Sequence, residues 1–353
     1  LNNVDYKTKA IGKWHLGAHE SLVPERRGFD EFFGFLIGGH RYFPEDLTIN
    51  DLTEARRQMD GYVTKIYDNG KRIDTKKYLT EELSDNAVKF IDDNSDNPFF
   101  IYLSYNAPHT PLQATERDLE RNNHIEVEKR RTYAAMVSSM DDGIGLILDK
   151  LEEKKITDNT IVIFFSDNGG VEWYNFSDNG ILRGIKGDFF EGGIRVPFTM
   201  QWPKKIKPGT TYDKPIIALD VFATVASAAS AEKYIKNEID GVDLLPYITG
   251  KKSGLPHEYL YWKNPDKEID VVRDERYKYL RIKSDEYIFD LKNDISEETN
   301  IIDSSKPIYD RLKSQFKNWE KDMIDPVFLD LGSGKEYNKL NPDRWFNSSQ
   351  EKQ

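Results

Sequence analysis

Apolar residues follow two periods along this chain, and the periods predict its elements. Asp5 to Ile11, Asn97 to Tyr105 and Thr160 to Ser166 are short apolar runs that read as strands, the last two as buried ones. Between them, residues 80 to 95 place Leu83, Ala87, Phe90 and Ile91 on one face of an amphipathic helix, with Thr80 as its cap. From Val127 to Leu151, Tyr133, Met136, Val137, Met140, Ile144, Ile147, Leu148 and Leu151 recur at helical spacing and predict a longer packing helix, with the Met residues in the core. Residues 219 to 230 predict another apolar helix.

After Leu255 the texture changes. Glu258 to Trp262, Ile269 to Arg273, Tyr277 to Ile282 and Tyr287 to Leu291 read as short strands between charged turns, an antiparallel appendage. A helix from about Ile308 to Met323, with Leu312, Phe316 and Trp319 in line, is expected to pack on it. Pro326 to Gln353, rich in Gly, Asn, Ser and charge, reads as an extended tail. The expected organisation is an α/β domain over residues 1–255, an α+β subdomain over 256–325 and a tail over 326–353, with no internal repeat.

The 353 residues suffice for a sizeable core. A formal charge of −11 suits a nucleic-acid binder poorly, and a polyanionic ligand would have to be drawn by local cations. No long apolar run predicts a membrane span, no signal peptide is visible, and zero cysteines leave no disulfide argument about compartment.

Chemistry gathers where strands end. Gly12-Lys13-Trp14-His15-Leu16-Gly17 sets a compact positive charge and a group that titrates near neutral pH in alternation, on one face if the strand continues. Asn106-Ala107-Pro108-His109-Thr110-Pro111 is a proline-stiffened loop around a histidine. Ser166-Asp167-Asn168-Gly169-Gly170 offers a carboxylate and an amide oxygen, both hard-cation ligands, although Asx-Gly is also a common turn signal. Leu182-Arg183-Gly184-Ile185-Lys186-Gly187 leads into Glu191-Gly192-Gly193-Ile194-Arg195-Val196-Pro197. In open α/β sheets ligands bind beyond the carboxyl ends of strands, so these segments are candidates for one cleft. His40 and Arg41, after Gly38-Gly39, and Trp173, after the Asp167 corner, are candidate ligand contacts. Asp141-Asp142 could pass for a metal pair, but adjacent helical residues diverge by about 100°, which favours a structural role for at least one. His19, His124 and His257 have no supporting context and read as surface residues.

The four blocks, in this order, resemble the formylglycine-dependent sulfatases of the alkaline-phosphatase superfamily, and the likeness continues through Ile239-Asp240-Gly241-Val242-Asp243 and Phe289-Asp290-Leu291. It implies a mixed, mostly parallel sheet flanked by helices, with a small C-terminal antiparallel sheet plus helix. It further implies one Ca²⁺ held by Asp167 and Asn168, catalytic roles for Lys13, His15, His109 and Lys186, and a sulfated carbohydrate bound with help from His40, Arg41, Arg183 and Trp173. His15 would hold or deprotonate the nucleophile's hydroxyl and Lys13 offset its charge, while His109 and Lys186 would serve the leaving oxygen. A secreted or periplasmic location is the family expectation; oligomeric state is not legible.

One departure is severe. The family's nucleophile is formylglycine, made from the Cys or Ser of a C/S-x-P-S-R motif, and neither a cysteine nor that motif occurs here. Leu1 to Lys9 resembles the segment that follows the motif, so the sequence reads as N-terminally truncated, inactive alone, with exposed sheet edges that favour aggregation or poor metal binding. Two alternatives stand beside a sulfatase: a phosphodiesterase or phosphonate hydrolase of the same superfamily, and a non-catalytic sulfated-glycan binding protein.

Overall fold

The computed structural model describes residues 1–324; the expected tail at 326–353 lies outside them. Two compact units emerge, one made of residues 1–160 with 229–234, the other of 161–228 with the described residues from 235 onward.

The first unit is built on a five-stranded mixed sheet. Its strands are β1 (Lys7–Lys13), β2 (Glu31–Phe35), β3 (Ile66–Asp68) and β4 (Lys71–Ile73), then, after helix α1 (Leu79–Asn94), β5 (Phe99–Ser104), in the spatial order β4-β3-β2-β1-β5. The central pairs are parallel, with Gly12 opposite both Gly34 and Ser104, whereas β2-β3 and β3-β4 are antiparallel. Helix α2 (Glu116–Arg121) and the long α3 (Glu128–Glu153) follow. Leu79, Leu83, Ala87 and Met136 from the helices pack with Ile11, Phe33 and Phe35 from the strands in one core, which is the amphipathic pattern expected. Thr80 is not the cap of α1. Tyr78 occupies that position, Thr80 is fully buried in the first turn, and the Glu82 carboxylate accepts from the Lys76 and Lys77 amides at 2.7 and 2.9 Å. Asp142 accepts both 2.8 Å hydrogen bonds from Arg121, a structural ion pair, as expected for one of the two aspartates.

In the second unit β6 (Val162–Phe165) pairs antiparallel with β7 (Phe198–Gln201), the two joined through the short helices α4 (Glu172–Asn175) and α5 (Glu191–Ile194). Among the described residues β6 has no other strand partner, and Phe164 and Phe165 are 38% and 37% exposed, so this strand is less buried than its apolar run predicts. Helices α6 (Leu219–Ala228) and α7 (Leu245–Ile248) precede the antiparallel sheet β8 (Leu260–Asn264), β9 (Ile269–Arg273), β10 (Tyr277–Ile282) and β11 (Asp285–Asp290). Helix α8 (Lys306–Glu320) lays Leu312 and Phe316 on Val272, Tyr279 and Ile288, and Trp319 stacks on Tyr261 at 4.9 Å, the packing its stripe predicts.

Candidate functional site

In the first unit the candidates sit at the carboxyl ends of β1, β2 and β5. Lys13 is the last residue of β1, opposite Phe35. Trp14 and His15 extend the ladder by donating to the Phe35 and Leu36 carbonyls at 3.0 and 3.1 Å, but His15 has a left-handed backbone (φ 55°). The strand therefore stops before His15, and simple alternation does not set its direction. Its exposed ring lies against Gly38, where an added Cβ would meet Nε2 at 2.8 Å, so the glycine makes room for the imidazole.

His109 lies in the loop after β5. Its Nδ1 is 2.7 Å from the Thr110 carbonyl, so Nδ1 carries the proton and the neutral ring keeps Nε2 as the basic nitrogen. The His109 carbonyl accepts from the buried Tyr42 hydroxyl at 2.8 Å, and the Tyr42 amide donates to Gln113 at 3.1 Å, tying this loop to the segment after β2.

His40, read from sequence as a substrate contact, is fully buried. Its two ring nitrogens lie 2.9 and 2.8 Å from the Arg41 and Thr64 carbonyls. Burial pushes its pKa down to about 4, so the ring is neutral near pH 7 and has one N–H to share between two acceptors. This places His40 as a support beneath Arg41, which is itself half-buried with Asp46 at 3.9 Å.

The second unit gathers the other candidates by close backbone packing. The Gly169 amide donates to the Gly193 carbonyl at 3.0 Å, and the Gly192 amide to that of Arg183 at 2.7 Å. A Cβ on Gly192 would fall 2.4–2.7 Å from the carbonyl oxygens of Leu182, Arg183 and Gly184, and one on Gly169 would fall 1.7 Å from that of Gly192. Three sequence blocks are thus interlocked because glycines let their backbones touch.

Asp167 is exposed at the tip of β6, and Asn168 Nδ2 donates to the Gly169 carbonyl at 2.9 Å, leaving Oδ1 as its hard donor. These are two of the six to eight oxygens Ca²⁺ takes, and among the described residues no cluster of three or more His, Cys, Asp or Glu stands ready for a metal. Lys186 is exposed. Arg183 donates to the Glu297 carbonyl at 2.8 Å, and its guanidinium lies over Phe190 at 4.1 Å, so part of its fork is structural. Trp173 is 74% exposed on α4.

Sequence reasoning missed the support of this knot. Glu191, fully buried, faces Lys278 at 3.1 Å and Arg273 at 3.0 Å; Lys278, also fully buried, lies 2.8 Å from Glu297. Glu297 also accepts from the Glu191 amide at 2.5 Å. Burial pushes the Glu191 carboxyl up, but Lys278 and Arg273 outweigh it and hold the group below its ordinary range. Burial keeps Glu297 above its own. Cations from β9 and β10 thus anchor the loop carrying Arg183 and Lys186; alternation along those strands gives no hint of it. His257 is likewise no bare surface residue: its Nε2 lies 2.7 Å from the buried Asp220, which also accepts from the Val242 and Ile217 amides.

A hollow of about 250 Å³ between α1 and α3 in the first unit holds none of the candidates. Its Arg117 already faces Glu81 and Asp142, and its Lys77 faces Asp85.

The sulfatase family model matches residues 1–231, and the model for the C-terminal region of N-sulphoglucosamine sulphohydrolase matches 186–322. The chain belongs to the sulfatase family. It is 32% identical over 318 residues to an uncharacterized sulfatase, YdeN, of Escherichia coli K12, covering 81% of this chain and 53% of that protein. An arylsulfatase of Hemicentrotus pulcherrimus is 29% identical over 289 residues, 79% of this chain and 50% of its own length. The chain thus spans about half the length of these curated relatives. Among solved structures, Ps i-CgsB in complex with k-i-k-neocarrahexaose superposes with a TM-score of 0.86 at 33% identity, over 97% of this chain and 77% of that one. The sulfatase fold has the α/β sheet flanked by helices and the C-terminal antiparallel sheet expected here. None of the described helices is long and apolar enough to cross a membrane.

Proposed function

We propose that the protein is a sulfuric ester hydrolase acting on a sulfated carbohydrate, and that residues 1–353 carry its cation-binding and leaving-group side chains. The observation that carries this reading is the glycine interlock holding the Asp167-Asn168 corner against the loop of Arg183 and Lys186. A neighbour of 33% identity seen with a carrageenan-type hexasaccharide supports carbohydrate as the substrate class.

Asp167 and Asn168 would supply two of the oxygens to a Ca²⁺, which when bound offers a fixed positive charge to a sulfate oxygen. His109, with Nδ1 held on the Thr110 carbonyl, is suited, once Nε2 has taken up a proton, to hand that proton to the departing sugar oxygen, and Lys186 to offset the charge developing there. At the end of β1, His15 can take a proton from an attacking hydroxyl and Lys13 can offset the negative charge that follows. Arg41, Arg183 and Trp173 would serve as substrate contacts, with His40 supporting Arg41 through its carbonyl. In sulfatases formylglycine supplies that hydroxyl; residues 1–353 contain neither a cysteine nor the motif that yields one, so by themselves they are expected to bind and not turn over. Export to the periplasm or medium is the matching location.

The test is a variant series in a polypeptide carrying these residues together with a formylglycine. His109→Ala is expected to lower kcat by roughly 10²–10⁴-fold, the usual loss of a positioned general acid. A rate within tenfold of the parent removes His109 from the mechanism.

A further inference from the structure

The loop between the Asp167-Gly170 corner and the Arg183-Lys186 segment exposes large apolar side chains, of which only Trp173 has a part in the reading above. Trp173 and Tyr174, consecutive on α4, are 74% and 57% exposed, and Ile181 on the return limb is 73% exposed. The two rings touch, with centroids 5.6 Å apart and planes inclined by 58°. Single exposed apolar residues are ordinary, but two large exposed rings in contact with each other mark a contact surface.

The backbone beneath them is tied down. Glu172 accepts from the Asn179 amide at 2.8 Å, and Asn175 accepts from the Ser177 amide at 3.0 Å. Asn179 is the hub: its Oδ1 accepts from the Gly170 amide at 2.9 Å, and its Nδ2 lies 3.0 Å from the carbonyls of both Gly170 and Gly184. One side chain thus fastens the aromatic loop to the cation corner on one side and the basic loop on the other. Phe176 closes the turn with a left-handed backbone (φ 61°), a conformation a bulky residue adopts at a cost. Rings held in water on a fixed backbone are preorganised for a flat partner.

We propose that Trp173 and Tyr174 form a stacking platform for a sugar ring next to the sulfated one, so that the ligand is at least a disaccharide and is recognised partly through an unsulfated face. A pyranose presents an apolar C–H face edged by hydroxyls, which suits an indole and a phenol whose polar edges stay wet. Two rings inclined to each other cover more than one sugar face, and Asn179 is the positioning residue that fixes them relative to Asp167 and Lys186. The inference rests on the carbohydrate reading above.

The experiment is calorimetric binding of the full chain, with Ca²⁺, to sulfated tetra- and hexasaccharides from carrageenan, chondroitin sulfate and heparin, beside the matching monosulfated monosaccharides and desulfated oligosaccharides. Trp173→Ala and Tyr174→Ala are each expected to weaken the best oligosaccharide by tenfold or more, and Tyr174→Ala to leave the monosaccharide within twofold. Asn179→Ala is expected to weaken the oligosaccharide, with Asn179→Asp restoring only part, since it keeps the bond to the Gly170 amide and loses both donors. Equal losses for oligosaccharide and monosaccharide, or none for either, overturn the platform while leaving the sulfatase reading standing. Desulfated oligosaccharide bound as tightly as sulfated, and lost in Trp173→Ala, upholds the platform and defeats the sulfatase reading. Binding of no probe overturns both.

Discussion

His40 shows how far one buried ring can report on the fold around it. Its pKa is near 4 in the folded chain against 6.5 when exposed, because burial disfavours the cation. The unfolded chain therefore binds more protons between those values. The stability this supplies is complete above pH 6.5 and is lost as pH falls through 4, about 3 kcal/mol in all. Urea melts at pH 7 and pH 5 are expected to differ accordingly, and His40→Gln to flatten the difference; an unchanged slope would mean the ring is not buried. Lys278 makes the complementary case. Lys278→Met leaves Glu191 and Glu297 buried with one cation fewer, which is expected to cost about 3–5 kcal/mol at pH 7. Glu191 sits below its ordinary range in the wild type, so the stability its charge supplies is present above that range and lost as pH falls below it. The gap between variant and wild type should therefore narrow in acid, as seen by the same melts.

At the scale of elements, the strands and helices with a clean period were legible. β9 and β10 begin and end where the apolar runs do, and α8 presents the stripe that its sequence shows. What was not legible depends on contacts distant in sequence. Thr80 looked like a cap because it precedes an amphipathic run, but the core claims its position and Glu82 satisfies the entering amides instead. β6 looked buried on composition alone, and its exposure follows from having one strand partner among the described residues. The glycines of the Glu191 block gave a turn signal but not the reason, which is backbone contact with two other loops. Gly192→Ala is expected to cost on the order of 3 kcal/mol, because the obstacles to a Cβ are carbonyl oxygens that cannot move aside. Faster hydrogen exchange over residues 182–195 should accompany it, and unchanged exchange there would contradict the interlock. In the C-terminal sheet, partial burial pushes Glu286 up, but hydrogen bonds from Lys313, Tyr279 and Tyr309 bring it down to about 2. Its contribution is whole above its ordinary value of 4.5 and disappears as pH falls toward 2, so Glu286→Gln should make the melting of this region less sensitive to acid.

For the molecule as a whole, four strand-end blocks were enough to reach the family and its fold. Candidates such as His109, Asp167 and Lys186 could be named from single positions in the sequence, whereas supports that come from afar, as with Asn179, Lys278 and Glu297, could not. Surface exposure carries a prediction of its own. Tyr102 and Leu146 in the first unit, and Phe164, Phe165, Leu219 and Phe222 in the second, are large apolar side chains exposed by 37–59%, and the strands carrying Tyr102 and the two Phe residues, β5 and β6, each have one unpaired edge among the described residues. Residues 1–353 expressed alone are expected to self-associate in light scattering, and a monodisperse sample that melts cooperatively would contradict this. The most direct test of the central claim is sulfate release, followed by ion chromatography, from a panel of sulfated oligosaccharides by a polypeptide that joins these residues to a formylglycine, with phosphodiester and phosphonate monoester controls. Calcium-dependent release of sulfate with little action on the phosphorus esters is the predicted result. Hydrolysis of the phosphorus esters in preference to every sulfated sugar would contradict it.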